Sequence, residues 1–296
     1  MIQKKWVIKE ILHATAGLFQ DKKIDSPRLC AEVLLSHQLK KSRVELYLTF
    51  DQPLSSSEIA GFRSLVKRRL NREPLQYITG TQEFWSLEFA VTPQALIPRP
   101  ETELLVEQAI ERLKAVISEG NKTPSILDLG TGCGAIAISL AKAVQQVRLW
   151  ATDISADALK LARLNAEKHG VSDKIKFLQG NLWEPLLDEG VTFDIILSNP
   201  PYIGAEEFEN LSPEVRDYEP RLALNGHKDG MTYIQTIILE APVFMKPGGW
   251  IMLEMAPGQT EKALGLIGDI KDYGEKTRIK DYSHRYRVVM AQKNWV

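Results

Sequence analysis

Asparagine, two prolines and tyrosine stand in a row directly after an apolar segment in the second half of the chain. The segment FDIILS (193–198) has the composition of a buried strand. At average residue usage this tetrapeptide arises by chance in roughly one sequence of this length in a thousand. Open α/β sheets bind ligands at the carboxyl ends of their strands, so the tetrapeptide is a candidate site, although proline also simply terminates strands. Its residues are Asn199, Pro200, Pro201 and Tyr202.

Two oxygen acceptors in this tetrapeptide suit a planar amino group that must be methylated. The lone pair of an amide or nucleobase NH2 is delocalised, and the group is too weakly acidic for a side chain to deprotonate it. The Asn199 side-chain oxygen and the Pro200 carbonyl can each accept one N–H, which orients the nitrogen and favours its sp3 character. Tyr202 can stack on the flat group. Catalysis would then rest mainly on proximity and orientation.

A glycine-rich segment, DLGTGCG (128–134), forms the second candidate site. It stands where the apolar strand SILDLG must turn into the helix GAIAISLAKAV. Glycine permits positive φ and close approach of the backbone to a ligand, so the segment predicts a nucleoside-binding loop. Tight turns of α/β proteins also use glycine without any ligand. The residues of the predicted loop are Gly130, Thr131, Gly132, Cys133 and Gly134.

Two carboxylates near this loop bear on the choice of cofactor. Asp153 ends the next strand, 23 residues after Gly130, where doubly wound sheets hold ribose hydroxyls, or else it caps the helix that begins at Ser155. A nicotinamide dinucleotide fits poorly, because the third glycine of GxGxxG is missing from its usual place. S-adenosylmethionine carries an ammonium and a sulfonium but no phosphate. A carboxylate such as Asp128 would suit these cationic groups.

The elements that must position these residues belong to an α/β fold. From residue 96 onward strands alternate with helices, which predicts a Rossmann-like parallel sheet covered on both faces. Two further strands near the end of the chain, TRIKDYS and RYRVVMAQ, extend it to a mixed sheet of seven strands. The segment EFWSLEFAV, within a linker over 81–95, predicts a strand or hairpin.

The first 80 residues predict a small all-α bundle. Ser42 with Glu45 and Ser55 with Glu58 fit capping boxes, and a further helix begins at Pro27. This region holds 14 Lys and Arg against 8 Asp and Glu. A basic region can meet an anionic partner such as RNA or an acidic protein, but solvated helix surface gives the same count.

Composition excludes several protein classes. The chain has 296 residues, of which 44% are hydrophobic and 25% charged, so disorder and coiled coil do not fit. No run approaches 18 uncharged apolar residues, and the start MIQKKWVIKE is too charged for a signal peptide. A cytoplasmic protein that does not engage membranes is expected. Cys30 and Cys133 lack CxxC spacing and nearby histidines, which predicts reduced thiols and no metal site.

Together these motifs resemble the class I S-adenosylmethionine-dependent methyltransferases, and among them the protein-(glutamine-N5) methyltransferases of class I peptide-chain release factors. Three further segments carry the resemblance over nearly the whole chain: REPLQYITG (72–80), LIPRPETELLV (96–106) and EPRLALNGHKDGMTYI (219–234). Asn225 to Gly230 departs from the family pattern at His227, where a glycine is expected, and a solvent-facing histidine is predicted there. Nucleic-acid amino-methyltransferases share the tetrapeptide, and they remain the alternative, as does a non-catalytic module of the same fold.

The resemblance implies methylation of the glutamine side-chain nitrogen in the Gly-Gly-Gln motif of a release factor. The glycine loop would line S-adenosylmethionine, Asp153 would bind its ribose, and Trp183 would pack near its adenine, with S-adenosylhomocysteine as product. Helical residues 1–80 would grip the release factor, residues 96–296 would form the methyltransferase domain, and a monomer without direct need of nucleic acid is expected. The residues implied to receive the glutamine are Asn199, Pro200, Pro201 and Tyr202, helped by Arg99, Glu101 and Thr102.

Several of these residues have plainer interpretations. Trp183 could belong to the core, because tryptophan is highly buried on average. Arg99 and Glu101 could pair with each other or begin the helix ELLVEQAIERL. Glu254, in the strand GGWIMLEM, could point into the cleft, cap a helix or lie at the surface.

Overall fold

The computed structural model describes residues 5–295, which divide into two compact units. The first unit comprises the chain up to Gly80 together with Ser212–Tyr218, and the second comprises Thr81–Leu211 and the chain from Glu219 onward. The hairpin segment expected as part of a linker therefore belongs to the second unit. Among the described residues, no helix is long and apolar enough to cross a membrane.

The described residues form thirteen α-helices and nine β-strands. The helices are α1 (Ile8–Asp21), α2 (Pro27–Leu39), α3 (Arg43–Leu48), α4 (Ser56–Leu70), α5 (Leu75–Thr79), α6 (Glu103–Ser118), α7 (Ala135–Ala143), α8 (Ala156–Lys168), α9 (Ala205–Phe208), α10 (Pro213–Arg216), α11 (Arg221–Leu224), α12 (Thr232–Phe244) and α13 (Thr260–Gly268). The strands are β1 (Thr81–Phe84), β2 (Leu87–Ala90), β3 (Ser125–Leu129), β4 (Arg148–Asp153), β5 (Ile175–Gln179), β6 (Phe193–Ser198), β7 (Met245–Glu254), β8 (Tyr273–Lys280) and β9 (Tyr286–Lys293).

The first unit is a helical bundle whose helix starts are fixed by local hydrogen bonds. Both predicted capping boxes are confirmed: the side chains of Ser42 and Ser55 accept from the third backbone amide of α3 and α4, and the glutamates there reach back. Ser26 differs, because its backbone is left-handed (φ 48°) and its side chain caps nothing. The apolar faces of the helices meet in one core that includes Leu12, Phe19 and Phe62.

A short segment from the middle of the sequence completes this bundle. Glu214 in α10 accepts hydrogen bonds from Arg69 at 2.9 Å and from Arg72 at 3.2 Å. The Tyr218 hydroxyl donates to the Asn71 carbonyl at 2.6 Å. Sequence reasoning missed this insertion, because no local pattern connects residues 212–218 with a bundle that ends at Gly80.

The second unit contains the predicted mixed seven-stranded sheet, with strand order β5-β4-β3-β6-β7-β9-β8. β5, β4, β3, β6 and β7 run parallel, and β9 is antiparallel to both β7 and β8, so the sheet is mixed as predicted. Successive residues of β3 point to opposite faces, so Ile126 joins one hydrophobic cluster and Leu127 the other. These two layers are the cores of an α/β domain.

Strand order reverses between β3 and β6, and this reversal creates a crevice at their carboxyl ends. The Ser198 hydroxyl donates to the Leu129 carbonyl at 2.7 Å and holds the two strand ends together. The glycine loop leaves β3 here and the Asn-Pro-Pro-Tyr tetrapeptide leaves β6. The fold therefore brings together two motifs that stand about 70 residues apart in the sequence.

The hairpin β1–β2 is anchored beside the glycine loop by one buried asparagine. Asn165 in α8 exchanges two hydrogen bonds with the backbone of Ala90, at 2.8 and 3.0 Å, and donates a third to the Cys133 carbonyl at 3.0 Å. The hairpin turn, Trp85 and Ser86, has positive φ at both residues, as a two-residue turn of this hand requires.

Candidate active site

A cavity at the carboxyl ends of β3, β4 and β6 collects most of the residues expected to do chemistry. Its walls are formed by the glycine loop with the start of α7, the end of β4 with the start of α8, and residues 180–182. Further wall residues come from 94–96, 98, 99 and 102, from positions 199 and 201 of the tetrapeptide, and from 220, 222, 223 and 233. All of these belong to the second unit. Of the predicted site residues, the cavity wall contains Arg99, Thr102, Gly130, Thr131, Gly132, Cys133, Asp153, Asn199 and Pro201.

The glycine loop leaves open space where side chains would otherwise stand. Gly130 and Gly132 have φ of 77° and 57°, and a Cβ added at either would meet no atom within 4 Å. The loop is held by backbone bonds from Gly130 and Thr131 to the Thr152 carbonyl, at 2.9 and 2.8 Å. A bare, rigid backbone beside a cavity is the form of surface that a nucleoside approaches closely.

Gly134 and Cys133, two other residues of the predicted loop, have roles in packing and burial. A Cβ on Gly134 would lie 2.8 Å from the Ile138 side chain and 3.2 Å from that of Ala162, so this glycine permits close helix packing rather than ligand contact. Gly134 does not line the cavity. Burial raises the pKa of the Cys133 thiol to about 12, which keeps it protonated and unfit as a nucleophile.

Asp128 supports the loop from below and does not line the cavity, contrary to the expectation of direct cofactor contact. It is fully buried, and its Oδ2 accepts from the Thr131 hydroxyl at 2.6 Å and from the Ala137 amide at 3.1 Å. Burial raises the pKa of this carboxyl to about 7. The strand end is too tightly covered for the side chain to reach a ligand, so Asp128 acts by fixing Thr131 and the start of α7.

Asp153 lies on the cavity wall and also organises the backbone around it. Its Oδ2 accepts from the Gly132 amide at 2.9 Å and its Oδ1 from the Ser155 amide at 2.9 Å. Desolvation by burial raises the pKa of this carboxyl. Helix α8 is capped by the Ser155 side chain, which accepts from the Ala158 amide. Because each carboxylate oxygen offers further lone pairs, Asp153 retains capacity for ribose hydroxyls.

Asn199 lines the cavity, and the nitrogen end of its side-chain amide already forms a hydrogen bond. Its Nδ2 donates to the Thr102 hydroxyl oxygen at 3.1 Å. Thr102 is buried, lies in the turn before α6 and also lines the cavity. The hydrogen bond fixes the amide so that Oδ1 is the end left to accept from a substrate.

The remaining tetrapeptide residues are divided between the cavity and the core. Pro201 lines the cavity, whereas the Pro200 ring is buried behind it. Among the described residues no backbone amide donates to the Pro200 carbonyl. Tyr202 departs from the expected stacking role, because its ring packs on the core cluster and the residue does not line the cavity. Tyr202 therefore anchors the tetrapeptide rather than contacting the cavity.

A second loop clamps the tetrapeptide, and sequence reasoning missed this role. A Cβ on Gly230 would lie 2.1 Å from the Tyr202 carbonyl oxygen, and one on Gly226 would lie 2.8 Å from its Cα. Gln259 donates to the same carbonyl at 2.8 Å. The signal in the sequence was the pair of glycines in NGHKDG. His227 between them is exposed, as predicted, and adopts the left-handed φ of 66° that glycine would favour.

The segment LIPRPETE reaches the cavity through only two of its three predicted residues. Arg99 lines the cavity and forms an ion pair with Glu219, not with Glu101. Glu219 is buried and its Oε2 also accepts from the Ile97 amide at 3.3 Å, while desolvation raises the pKa of the carboxyl. Glu101 is exposed and does not line the cavity. The expected contact of Glu101 with a substrate is therefore unsupported by its position.

The structure contradicts the placement of Trp183 beside an adenine. Its ring is 4% exposed and stacks on Phe244 with centroids 4.6 Å apart and planes 5° from parallel. It is absent from the cavity wall, where Asn181 and Leu182 stand instead. The apolar helix α12 supplies Phe244, and a tryptophan two residues after Asn181 turns inward to meet it. Trp183 is therefore a core residue, which is its plainer interpretation.

Each of the two units contains a segment that matches a known protein family. Residues 10–80 match the PrmC N-terminal domain family and residues 102–212 match the Methyltransferase small domain family. The release factor glutamine methyltransferase of Geobacter sulfurreducens is 45% identical over 262 residues, which span 88% of each chain. The protein of that name from Chlorobaculum tepidum is 42% identical over 283 residues, or 95% of each chain. The chain belongs to the release factor glutamine methyltransferase family.

The fold of this release factor glutamine methyltransferase family member is shared with proteins of other specificity. The 16S rRNA N2 G1207 methyltransferase of Thermus thermophilus, solved with AdoMet and guanosine, superposes with a TM-score of 0.52 and 22% identity. The match covers 72% of this chain and 50% of that one. At this identity the likeness shows a common class I methyltransferase fold and nothing about substrate.

Proposed function

We propose that this chain transfers the methyl group of S-adenosylmethionine to the side-chain amide nitrogen of the glutamine in the Gly-Gly-Gln motif of class I release factors. The observation that carries the proposal is the Asn199 amide, whose Nδ2 is held by Thr102 so that Oδ1 remains to accept a substrate N–H beside the glycine loop. The curated relatives are named for this substrate, and the similarity to them extends over both units.

The cavity suits S-adenosylmethionine through its bare backbone and its one acidic wall residue. Gly130 and Gly132 would let the nucleoside lie against the chain, and Asp153 would accept from the ribose hydroxyls. Leu182 and Ile154 offer apolar surface for the adenine, in place of Trp183. When bound, the cofactor supplies an electrophilic methyl carbon on a sulfonium. S-adenosylmethionine carries no phosphate. This agrees with a loop whose Gly132 amide already donates to Asp153.

The chain's own contribution to the reaction is orientation of the amide. The nitrogen of a glutamine side chain is conjugated with its carbonyl and has little nucleophilic character. Asn199 Oδ1 would accept one N–H and the Pro200 carbonyl the other, which turns the nitrogen lone pair out of conjugation and toward the methyl carbon. Fixed proline φ angles hold that carbonyl, and the backbone of Tyr202 is locked by Gln259. Attack would form the N–C bond as the S–C bond breaks, with S-adenosylhomocysteine as leaving group, and the cationic nitrogen would then lose its extra proton to solvent water.

The helical first unit is proposed to bind the protein substrate. A glutamine in a protein can be selected only by contacts outside the side chain itself, because glutamine side chains are otherwise alike. The first 80 residues carry a net positive charge, and a folded basic surface suits an acidic protein partner. The insertion of α10 into this unit through Arg69 and Glu214 means that the chain leaving the tetrapeptide passes through the proposed recognition unit before returning.

Methyl-labelled cofactor tests this proposal directly. The protein is incubated with S-adenosylmethionine carrying a labelled methyl group and, in parallel, with a class I release factor, its Gln→Ala variant in Gly-Gly-Gln, stripped RNA and DNA. The expected result is one labelled methyl group on that glutamine, found by mass spectrometry, and none on the variant. Label on nucleic acid would support an exocyclic-amino methyltransferase instead. Cofactor binding without transfer to any of these would support a non-catalytic module.

A further inference from the structure

The cavity wall carries one charge of each sign. Of the described residues that line it, Arg99 is the one with a positively charged side chain and Asp153 the one with a negatively charged side chain. The Arg99 side chain is 32% exposed, whereas that of its partner Glu219 is 1% exposed. The reaction proposed above uses Asp153 and Asn199 and assigns no role to the charge of Arg99.

Glu219 holds the guanidinium of Arg99 and leaves most of its donors free. Nη2 of Arg99 donates to Oε1 of Glu219 at 2.5 Å. Oε2 of the same carboxylate accepts from the Ile97 amide at 3.3 Å, so Glu219 also fixes the backbone that leads to the arginine. A guanidinium has five N–H donors. Within the described part of the chain the bond to Glu219 is the one hydrogen bond that Arg99 makes, so further donors remain for a ligand in the cavity.

The helix N-termini beside the cavity already have acceptors from this chain. Helix N-termini carry partial positive charge and bind anions in many proteins. At α7 the Ala137 amide donates to Asp128 at 3.1 Å. At α8 the Ser155 amide donates to Asp153 at 2.9 Å. An anionic group that enters the cavity therefore finds its strongest partner in Arg99.

S-adenosylmethionine has one anionic group, the α-carboxylate of its methionine part. A carboxylate that leaves water needs a charged or hydrogen-bonding partner to compensate for the loss of solvation. Asp153 would repel this group, because both are negatively charged. A guanidinium attracts it and can form two parallel N–H···O bonds with its two oxygens.

The chemistry of the proposed reaction argues against a contact of Arg99 with the substrate amide. A cation that donates to the glutamine carbonyl oxygen stabilises negative charge there, which draws the nitrogen lone pair further into conjugation. The nitrogen would then be a weaker nucleophile. A donor on the cofactor carboxylate has no such effect on the amide.

We propose that Arg99, held by Glu219, binds the α-carboxylate of S-adenosylmethionine. The proposal rests on the cofactor of the proposed function. It moves Arg99 from the glutamine side of the site, where the family resemblance implied it, to the cofactor side. Asp153 and Arg99 then take opposite ends of the same ligand, with the ribose hydroxyls at the acid and the carboxylate at the guanidinium.

Calorimetry with two ligands that differ only in the carboxylate tests the proposal. S-adenosylhomocysteine and its decarboxylated analogue share the nucleoside, the thioether and the ammonium. The wild type should bind S-adenosylhomocysteine more tightly, on the order of 10- to 100-fold, and Arg99→Met should reduce this ratio of affinities to about 1 or below. Affinity for the analogue should change little. Because the ratio is taken within one protein, a partial loss of folding in the variant affects both ligands alike.

Two further variants separate the contact from a general effect of charge. Arg163→Met removes an exposed arginine of α8 that does not line the cavity, and it should keep the ratio of the wild type. Arg99→Lys keeps the charge but not the planar fork, and its ratio should lie between those of the wild type and Arg99→Met. An unchanged ratio in Arg99→Met, or an equal loss of affinity for both ligands, would overturn the proposal. So would unchanged affinity for S-adenosylhomocysteine together with a raised KM for a release factor, which would place Arg99 on the glutamine side.

These measurements involve no methyl transfer, so they separate this proposal from the proposed substrate. A wild type that shows the Arg99-dependent preference but transfers no methyl group to a release factor would refute the proposed substrate and leave the role of Arg99 standing. A wild type that binds neither ligand would refute both the cofactor and the role of Arg99.

Discussion

The side chain of Asn199 donates from Nδ2 to Oγ1 of Thr102 at 3.1 Å, across 97 positions of sequence. The bond joins the end of β6 to the turn that begins α6, so a residue of the tetrapeptide is oriented by a residue of the LIPRPETE segment. It gives that segment a physical role inside the cavity. An asparagine at this strand terminus offers a donor end, which this bond uses, and a separate acceptor end.

Substitution of Gly130 should mainly weaken cofactor binding, whereas substitution of Gly134 should mainly destabilise the fold. Gly130→Ala places a methyl group toward the cavity, so it should weaken S-adenosylmethionine binding in calorimetry more than it lowers the melting temperature. Gly134→Ala drives a methyl group into Ile138 and Ala162 and should mainly destabilise the fold, on the order of 1–3 kcal/mol. Both carry the strain of positive φ, which makes them a matched pair. Equal effects on affinity would contradict the assignment.

The clamp on Tyr202 predicts that Gly230→Ala is harmful to turnover. The added methyl group would displace the Tyr202 carbonyl and with it the Pro200 carbonyl, so kcat should fall on the order of 10²-fold. The control is Gly265→Ala in α13, where no atom lies within 4 Å of the new methyl group and alanine favours the helix. Steady-state kinetics of both variants with a release-factor fragment decide the point. Wild-type kcat in Gly230→Ala would contradict the clamp.

Trp183 should prove to be a residue of stability and not of cofactor binding. Trp183→Ala removes a ring stacked on Phe244 and should reduce the free energy of unfolding by about 3–5 kcal/mol. Trp183→Phe keeps most of the packing and should bind S-adenosylmethionine as the wild type does. Chemical denaturation and calorimetry measure the two quantities separately. A large loss of cofactor affinity in the folded Trp183→Phe protein would restore the adenine role.

Elements that depend on local sequence patterns could be predicted from the sequence. The seven strands, the capping boxes at Ser42 and Ser55 and the meeting of two motifs at one sheet edge all follow from local patterns and parallel topology. The roles of Trp183 and Asp128 could not be read in the same way. Each stands beside a ligand-binding segment, and only packing decides whether such a side chain turns toward the cavity or the core.

Contacts between residues that lie far apart in the sequence could not be predicted either, because packing decides them too. Arg99 pairs with Glu219, and Glu214 completes the bundle of the first unit, although no spacing rule connects these positions. The glycines of NGHKDG were visible, but their reason, the approach of the Tyr202 backbone, required coordinates. Glu254 could be assigned to a strand, whereas its face depended on the register of β7 with β9.

Asp128 predicts how the stability of the folded protein depends on pH. Burial raises the pKa of its carboxyl to about 7, above the ordinary value of the unfolded chain, so between about pH 4 and 7 only the folded state holds the proton. This group should therefore make the free energy of unfolding decrease as the pH rises through that window, on the order of 4 kcal/mol in total.

Denaturation of Asp128→Asn at several pH values checks this sign. The decrease in the free energy of unfolding between about pH 4 and pH 8 should be smaller in the variant than in the wild type. Glu45→Gln is the opposite control, because hydrogen bonds from Ser42 lower the pKa of Glu45 and its contribution to stability is lost at low pH. The decrease should therefore be larger in that variant. Identical curves for Asp128→Asn and the wild type would contradict the buried carboxyl.

Turnover of Asn199→Ala, compared with its affinity for S-adenosylmethionine, tests the central claim most directly. If Asn199 Oδ1 holds the glutamine nitrogen, kcat on a class I release factor should fall by roughly 10²–10³, while cofactor affinity measured by calorimetry stays close to that of the wild type. Methylation at the wild-type rate in Asn199→Ala would contradict the account.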